Sequence, residues 1–219
     1  MLSYQQIFES KEIMAYIERA DETIRELGYT EHNLTHVGTV TRLVKYILES
    51  LDYSDRVVEL GMIAAHMHDI GNMLNRADHA QTSAIMAFTL LRDMGAATDE
   101  ITEICTAISN HDEATAIPVS PIAAALIIAD KSDVRRSRVR NSLLVSFDIH
   151  DRVNYSVTDS SLTVDKVNRQ ITLSLSIDNK YCTVMEYFEI FLNRMNLCQK
   201  AARKLDLQFG LMINGQKMI

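Results

Sequence analysis

Ser120-Pro121-Ile122-Ala123-Ala124-Ala125-Leu126-Ile127-Ile128-Ala129-Asp130 is the stretch on which the fold of this chain turns. Serine followed by proline opens a helix: the hydroxyl caps a free N–H, and proline takes the first position, where a missing N–H costs nothing. Residues Ile122 to Ala129 are apolar on every side, so the helix has no solvent face and must run through a core. It nevertheless ends on Asp130. An ionised carboxylate at the end of a buried helix is costly unless a cation or good donors meet it.

The same construction occurs upstream. Ser54 is placed to cap a helix that carries Val57, Val58, Leu60, Met62, Ile63, Ala64 and Ala65 into His68-Asp69-Ile70-Gly71, with Gly71 as its stop. Around these two, residues 1–140 read as helices with short breaks. One runs from Ser3 to Leu27 and closes at Gly28. One begins after Thr30, with Leu34, Val37, Val40, Val44, Ile47 and Leu48 on a single stripe. Asp78 followed by Gln81 predicts a capping box and a helix closing at Gly95, and Thr98 opens another that ends near Asn110.

From about Asn141 the period changes to two. Val153, Tyr155 and Val157, then Leu162 and Val164, then Ile171, Leu173, Leu175 and Ile177 alternate with polar residues, which predicts strands in a meander. Thr183 to Lys204 returns to helix, and Phe209, Leu211 and Ile213 read as a last short strand before Asn214-Gly215. The expected fold is mostly α: a helical metal-binding domain over residues 1–140, with a small α+β appendage over 141–219 (meander, helix, strand) packed on it.

Composition excludes several classes. Apolar residues make up 47% of the 219, enough for a sizeable core. The net charge of −7 argues against non-specific binding to nucleic acid or an anionic membrane. No apolar run approaches the ~18 residues needed to span a bilayer. The start, Met1-Leu2-Ser3-Tyr4-Gln5, is no secretory signal. Cys105, Cys182 and Cys198 are scattered and odd in number, which suggests neither a disulfide framework nor a thiolate zinc site. A cytoplasmic location is expected.

The histidines carry the chemistry. His68-Asp69 and Asp130 end apolar helices. His79 starts a helix, where the positive end of the dipole keeps an imidazole neutral, as a ligand must be. His111 follows a helix end, and His36 lies near the apolar stripe of its helix. Four imidazoles and two carboxylates (His36, His68, Asp69, His79, His111, Asp130) suit borderline metals such as iron or manganese. Two ions bridged by Asp69 would leave open positions and net positive charge, which suits a phosphate. His32, one turn before His36, is read as solvent-facing or as backing the site, His66 as packing, and His150 as a loop residue.

In its order, His36 … His68-Asp69 … His79 … His111 … Asp130 resembles the HD-domain superfamily of metal-dependent phosphohydrolases. His68-Asp69-Ile70-Gly71 looks like the family's HD-I-G element, Asp78-His79-Ala80-Gln81-Thr82-Ser83-Ala84 like its "H-x-x-x-G/S-A" helix start, Asn110-His111-Asp112-Glu113 like its "H-H-E", and Ala129-Asp130-Lys131-Ser132-Asp133 like its "A-D-K-x-D/E". The resemblance covers about residues 30 to 140. It implies His36, His68, Asp69 and Asp130 as the mononuclear ligand set, with His79 and His111 as the added ligands of dinuclear branches. The glycine-tyrosine-proline motif of the HD-GYP branch is absent, Asn72 stands where that branch has lysine, and Asp112 where it has histidine. A cyclic dinucleotide substrate is therefore disfavoured.

The expected activity is hydrolysis of a phosphate ester or anhydride, on a small nucleotide-like substrate, by metal-activated hydroxide. One or two divalent transition metals are expected, iron ahead of manganese, zinc, nickel or cobalt. Asp69 and Asp133 are the candidate catalytic carboxylates, Asp133 either as a proton acceptor or as a carboxylate standing behind a ligand. Lys131, Arg135 and Arg136 are candidates to hold the substrate, from a basic run that continues through Arg138 and Arg140. The rivals are a di-iron oxygenase like myo-inositol oxygenase and a metal-bearing regulatory module without turnover, with the appendage as a candidate homodimer contact.

Overall fold

The computed structural model describes residues 1–140 and 149–219. The boundary expected at residues 140/141 adjoins 141–148, which lie outside the described residues. The order is α1 (Tyr4–Phe8), α2 (Lys11–Glu26), α3 (Leu34–Ser50), α4 (Asp55–Met67), a 3-10 turn (Ile70–Met73), α5 (His79–Asp93), α6 (Thr98–Ser109), α7 (Pro121–Ser132), α8 (Ile149–Ser156), β1 (Val157–Asp165), β2 (Gln170–Ile177), α9 (Val184–Lys204), β3 (Gln208–Ile213) and β4 (Gln216–Lys217), with a second 3-10 turn at Arg136–Arg138. The chain is mostly α with a small sheet near its end.

α7 is the axis. Ser120 accepts from the Ala123 N–H and Pro121 takes the first position. Residues from Ala123 to Ala129 are fully buried, because the helix packs against α3, α4, α6 and α9. α3 lies along α4, and their approach is close: a Cβ on Gly61 would stand 2.7 Å from Leu48 Cδ1. α5 lies along α6, and the turn after α4 is clasped between α2 and α5.

Three local expectations give way. The first helix is two, because Ser10 caps Ile13 and restarts the chain at Lys11. Asp78 does precede α5, but it is left-handed (φ 54°) and makes no side-chain cap; Gln81 reaches instead to the Ser109 carbonyl and to Thr115. The strand expected at Val153, Tyr155 and Val157 is helix α8 as far as Ser156, with Val157 starting β1.

The sheet runs β1-β2-β3-β4. β1 and β2 are an antiparallel hairpin, with Leu162 opposite Leu173. β3 lies parallel to β2, with Ile171 opposite Phe209 and Leu173 opposite Leu211, so the expected meander ends after one hairpin and α9 provides the crossover. Burial alternates along β2, with Ile171, Leu173, Leu175 and Ile177 inward. Ser160 Oγ donates to the Ser132 carbonyl at the end of α7, which ties β1 to the helical part.

Candidate metal centre

Six predicted ligands from five elements meet at one place. His36 comes from the first turn of α3, where the Asn33 side chain accepts from the Thr35 and His36 N–H groups. His68 and Asp69 follow α4, His79 opens α5, His111 follows α6, and Asp130 lies in the last turn of α7. All are buried or nearly so; His36 and His68 have no exposure.

The contacts sort by the two oxygens of Asp69. Its Oδ2 faces His68 Nε2 at 3.3 Å, His36 Nε2 at 3.8 Å and His32 Nε2 at 4.0 Å. Its Oδ1 faces His79 Nε2 at 3.3 Å and His111 Nε2 at 3.6 Å. Asp130 Oδ1 joins the first group, 3.4 Å from His36 Nε2 and 3.9 Å from His68 Nε2. Ligand atoms of His36, His68 and Asp130 lie within 4.8 Å of one another, and so do those of His68, Asp69 and His111. Asp69 thus stands between two donor groups with one oxygen turned to each.

The far side of every ring is tied down. Nδ1 of His68, His79 and His111 meets the carbonyls of Ala65 at 2.8 Å, Arg76 at 3.1 Å and Ile108 at 2.7 Å, and Nδ1 of His32 meets that of Thr30 at 2.8 Å. His36 Nδ1 meets Asp133 Oδ2 at 2.7 Å. A carbonyl only accepts, so Nδ1 carries the proton and Nε2 of the neutral ring is bare. Unprotonated nitrogens of His79 and His111 then face each other at 3.3 Å, with Arg76 Nη1 3.4 Å from the former, and the buried Nε2 atoms of His36 and His68 have no hydrogen-bond partner. Lone pairs packed this way repel unless a cation stands among them. The donor set fits a divalent metal centre.

Protonation agrees. Burial works to raise Asp69 and Asp130, yet His68 beside Asp69, and Lys131 and His36 beside Asp130, hold both well below the usual carboxylate range. Burial also works to lower His68, but Asp69 outweighs it and raises the ring. The carboxylates therefore call for positive charge where the Nε2 atoms converge. At two of the rings burial outweighs Asp69: His79 falls to about 4 and His32 well below its ordinary value.

Three of the predicted catalytic and substrate-holding residues lie outside the cavity lining. Asp133 does not face the cluster cavity; it sits behind His36, with one oxygen on the imidazole and both within reach of Arg135, at 2.6 and 3.3 Å. A buried carboxylate so engaged is placed to orient His36. Arg135 is spent on Asp133 and Ser137, and Arg136 donates to the Tyr155 carbonyl and lies over the Tyr155 and Tyr181 rings. Neither lines the cavity in front of the cluster, whereas Lys131 does. His32, read as solvent-facing or as backing the site, lines it too, as do Arg76, Arg138, His150 and Arg194. His66 packs against Tyr4 and Phe8, as expected.

Comparison with known proteins gives a family resemblance. Residues 33–137 match the HD domain family model, a span that holds all six predicted ligands. The uncharacterized protein MJ1020 of Methanocaldococcus jannaschii is 23% identical in an alignment covering 67% of this chain and 65% of the relative, so the match spans just under two thirds of its length. A predicted HD superfamily hydrolase from an uncultured Thermotogales bacterium, solved at 1.45 Å, is 24% identical over 57% of this chain and 68% of its own, with a TM-score of 0.46. By the family match and the ordered histidines and aspartates together, residues 33–137 are similar to the HD domain.

Proposed function

We propose that the protein is a metal-dependent phosphohydrolase that holds two divalent ions. The observation that carries this reading is the common orientation of the rings: each Nδ1 is tied back to an acceptor, and each Nε2 is turned toward Asp69 or Asp130. In it, His36, His68 and Asp130 would hold one ion, His79 and His111 the other, and Asp69 would serve both. When bound, such ions lower the pKa of a water and neutralise charge that develops on the phosphoryl oxygens.

The chain's own groups do the rest. Asp133 keeps the proton of His36 on Nδ1, and the four backbone carbonyls do the same for the other rings, so no ligand reorganises when an ion enters. Lys131 donates to Asp130 Oδ2 at 2.6 Å, which leaves Oδ1 turned to the imidazoles. Asp69 is the one carboxylate shared by both ion positions, which makes it the residue the reaction can least lose. Nitrogen and oxygen donors without thiolate suit iron or manganese.

Hydrolysis of a panel of mono- and diesters and anhydrides, read as phosphate or as the monoester product, tests this, with iron-, manganese- and zinc-loaded protein and oxygen consumption followed in parallel. Metal-dependent hydrolysis, lost in Asp69→Ala and Asp130→Ala, supports the reading. Oxygen uptake without hydrolysis would replace it with an oxygenase.

A further inference from the structure

The cavity before the ligand cluster has a volume of about 340 Å³ and is lined by Arg76, Lys131, Arg138 and Arg194. Two of these cations are committed. Lys131 is bonded to Asp130, and Arg138, only 6% exposed, donates to the carbonyls of Glu31 and Asp133. The other two offer donors.

Arg76 Nη1 meets Asn72 Oδ1 at 3.2 Å and lies 3.4 Å from His79 Nε2. Among the described residues it makes no ion pair. Asn72 Nδ2 in turn donates to Asp69 Oδ1 at 2.9 Å, so one amide links the shared carboxylate to the guanidinium. Arg194 reaches the cavity from α9, on the opposite part of the chain. Its Nε pairs with Glu113, which is outside the lining, and among the described residues its two terminal amino groups have no hydrogen-bond partner.

Each guanidinium also lies over an aromatic ring: Arg76 over Tyr29 at 5.5 Å and Arg194 over Phe191 at 4.2 Å, and both rings line the cavity. A covered face leaves only in-plane donors, the geometry that grips phosphate oxygens bidentately. Charge points the same way. Two divalent ions against Asp69 and Asp130 leave two positive charges, which a monoester dianion already satisfies. Among the described residues, Arg76 without an ion pair, and Arg194 with its two terminal amino groups free beyond the Glu113 pair, offer donors to a further anionic group.

We infer that Arg76 and Arg194 hold a second phosphoryl group, so that the site takes a diphosphate or longer phosphate chain, free or carried by a nucleoside, in preference to a monoester. Asn72 positions Arg76, and Glu113 positions Arg194. The C-terminal helix is then part of the substrate site. This rests on the phosphohydrolase reading.

The test is binding without turnover. Metal-loaded full-length protein is titrated calorimetrically with methylenediphosphonate and with methylphosphonate, and bound metal is measured in the same samples. Wild type should prefer the diphosphonate by at least about tenfold. Arg76→Met and Arg194→Met should each lose most of that preference while keeping their metal, and Arg194→Lys should recover only part of it, since it restores the charge without the planar fork. Equal affinity of wild type for the two phosphonates, or a preference intact in both methionine variants, overturns the inference. The two readings fail separately. A diphosphonate preference with no hydrolysis of any ester or anhydride sinks the hydrolase and keeps the subsite; metal-dependent hydrolysis with no preference does the reverse.

Discussion

At the scale of single residues, the ligands were legible because each announces itself locally, as a charged or imidazole side chain at the end of an apolar helix. What surrounds them was not. His32 is four positions before His36, near enough in sequence to approach the site, but the partners that turn it in, Asp21 for its backbone N–H and Thr30 for its ring, come only with the folded loop. Arg135 and Arg136 sit near Asp130 in sequence and face away from the cavity, while Arg194, 64 positions beyond Asp130, lines it. The place of Asp133 behind His36 makes a prediction. Asp133→Asn should lower metal affinity about 10- to 100-fold with the fold retained, read by chelator competition; unchanged affinity would remove the positioning role. The thiols make another. Burial pushes Cys105 up to about 11 and Cys198 up to about 12, and raises Cys182. Since the thiolate is the reactive form, the buried Cys182 and Cys198 should resist a thiol reagent at pH 8 and label at the rate of unfolding. Rapid native labelling would contradict their burial.

At the scale of elements, long helices with an apolar stripe or a clear cap were read correctly, and short ones were not. α8 was read as strand because Val153, Tyr155 and Val157 alternate; the four-residue step from Ile149 to Val153 is the helical signal, and it straddles polar residues. The parallel pairing of β2 and β3 depends on α9 crossing between them, which no local pattern encodes. Gly71, read as a helix stop, has a more specific task. Its N–H donates to Ser83 Oγ at 2.8 Å, and a Cβ there would clash with the His79 carbonyl and stand 2.5 Å from the Ser83 nitrogen. That contact locks the turn carrying His68-Asp69 against the helix carrying His79. Gly71→Ala should therefore push α5 away, destabilise the protein by about 2–4 kcal/mol, and reduce bound metal at the His79 position. Thermal melts and metal content check it; a variant with native stability and full metal would show that the clasp is loose.

At the scale of the whole molecule, a set of helices converges on buried charges that the polypeptide alone leaves poorly matched. Ionised Asp69 and Asp130 at the centre of the bundle should make the fold lean on its ions. Chelation is expected to lower the melting temperature by on the order of 10 °C, from about 4 kcal/mol of linkage at a thousandfold excess of metal over its dissociation constant. A melt that ignores chelator would mean the bundle needs no cation. Among the described residues no helix is long and apolar enough to cross a membrane. The division at 140/141 stays a proposal, and the wall that α8 and α9 lend to the cavity argues for treating the C-terminal part as belonging to the site. The most direct test of the shared carboxylate is elemental analysis of protein made in minimal medium, wild type beside His79→Ala. Two ions per chain falling to one are predicted; one ion in both proteins would contradict a two-ion centre bridged by Asp69.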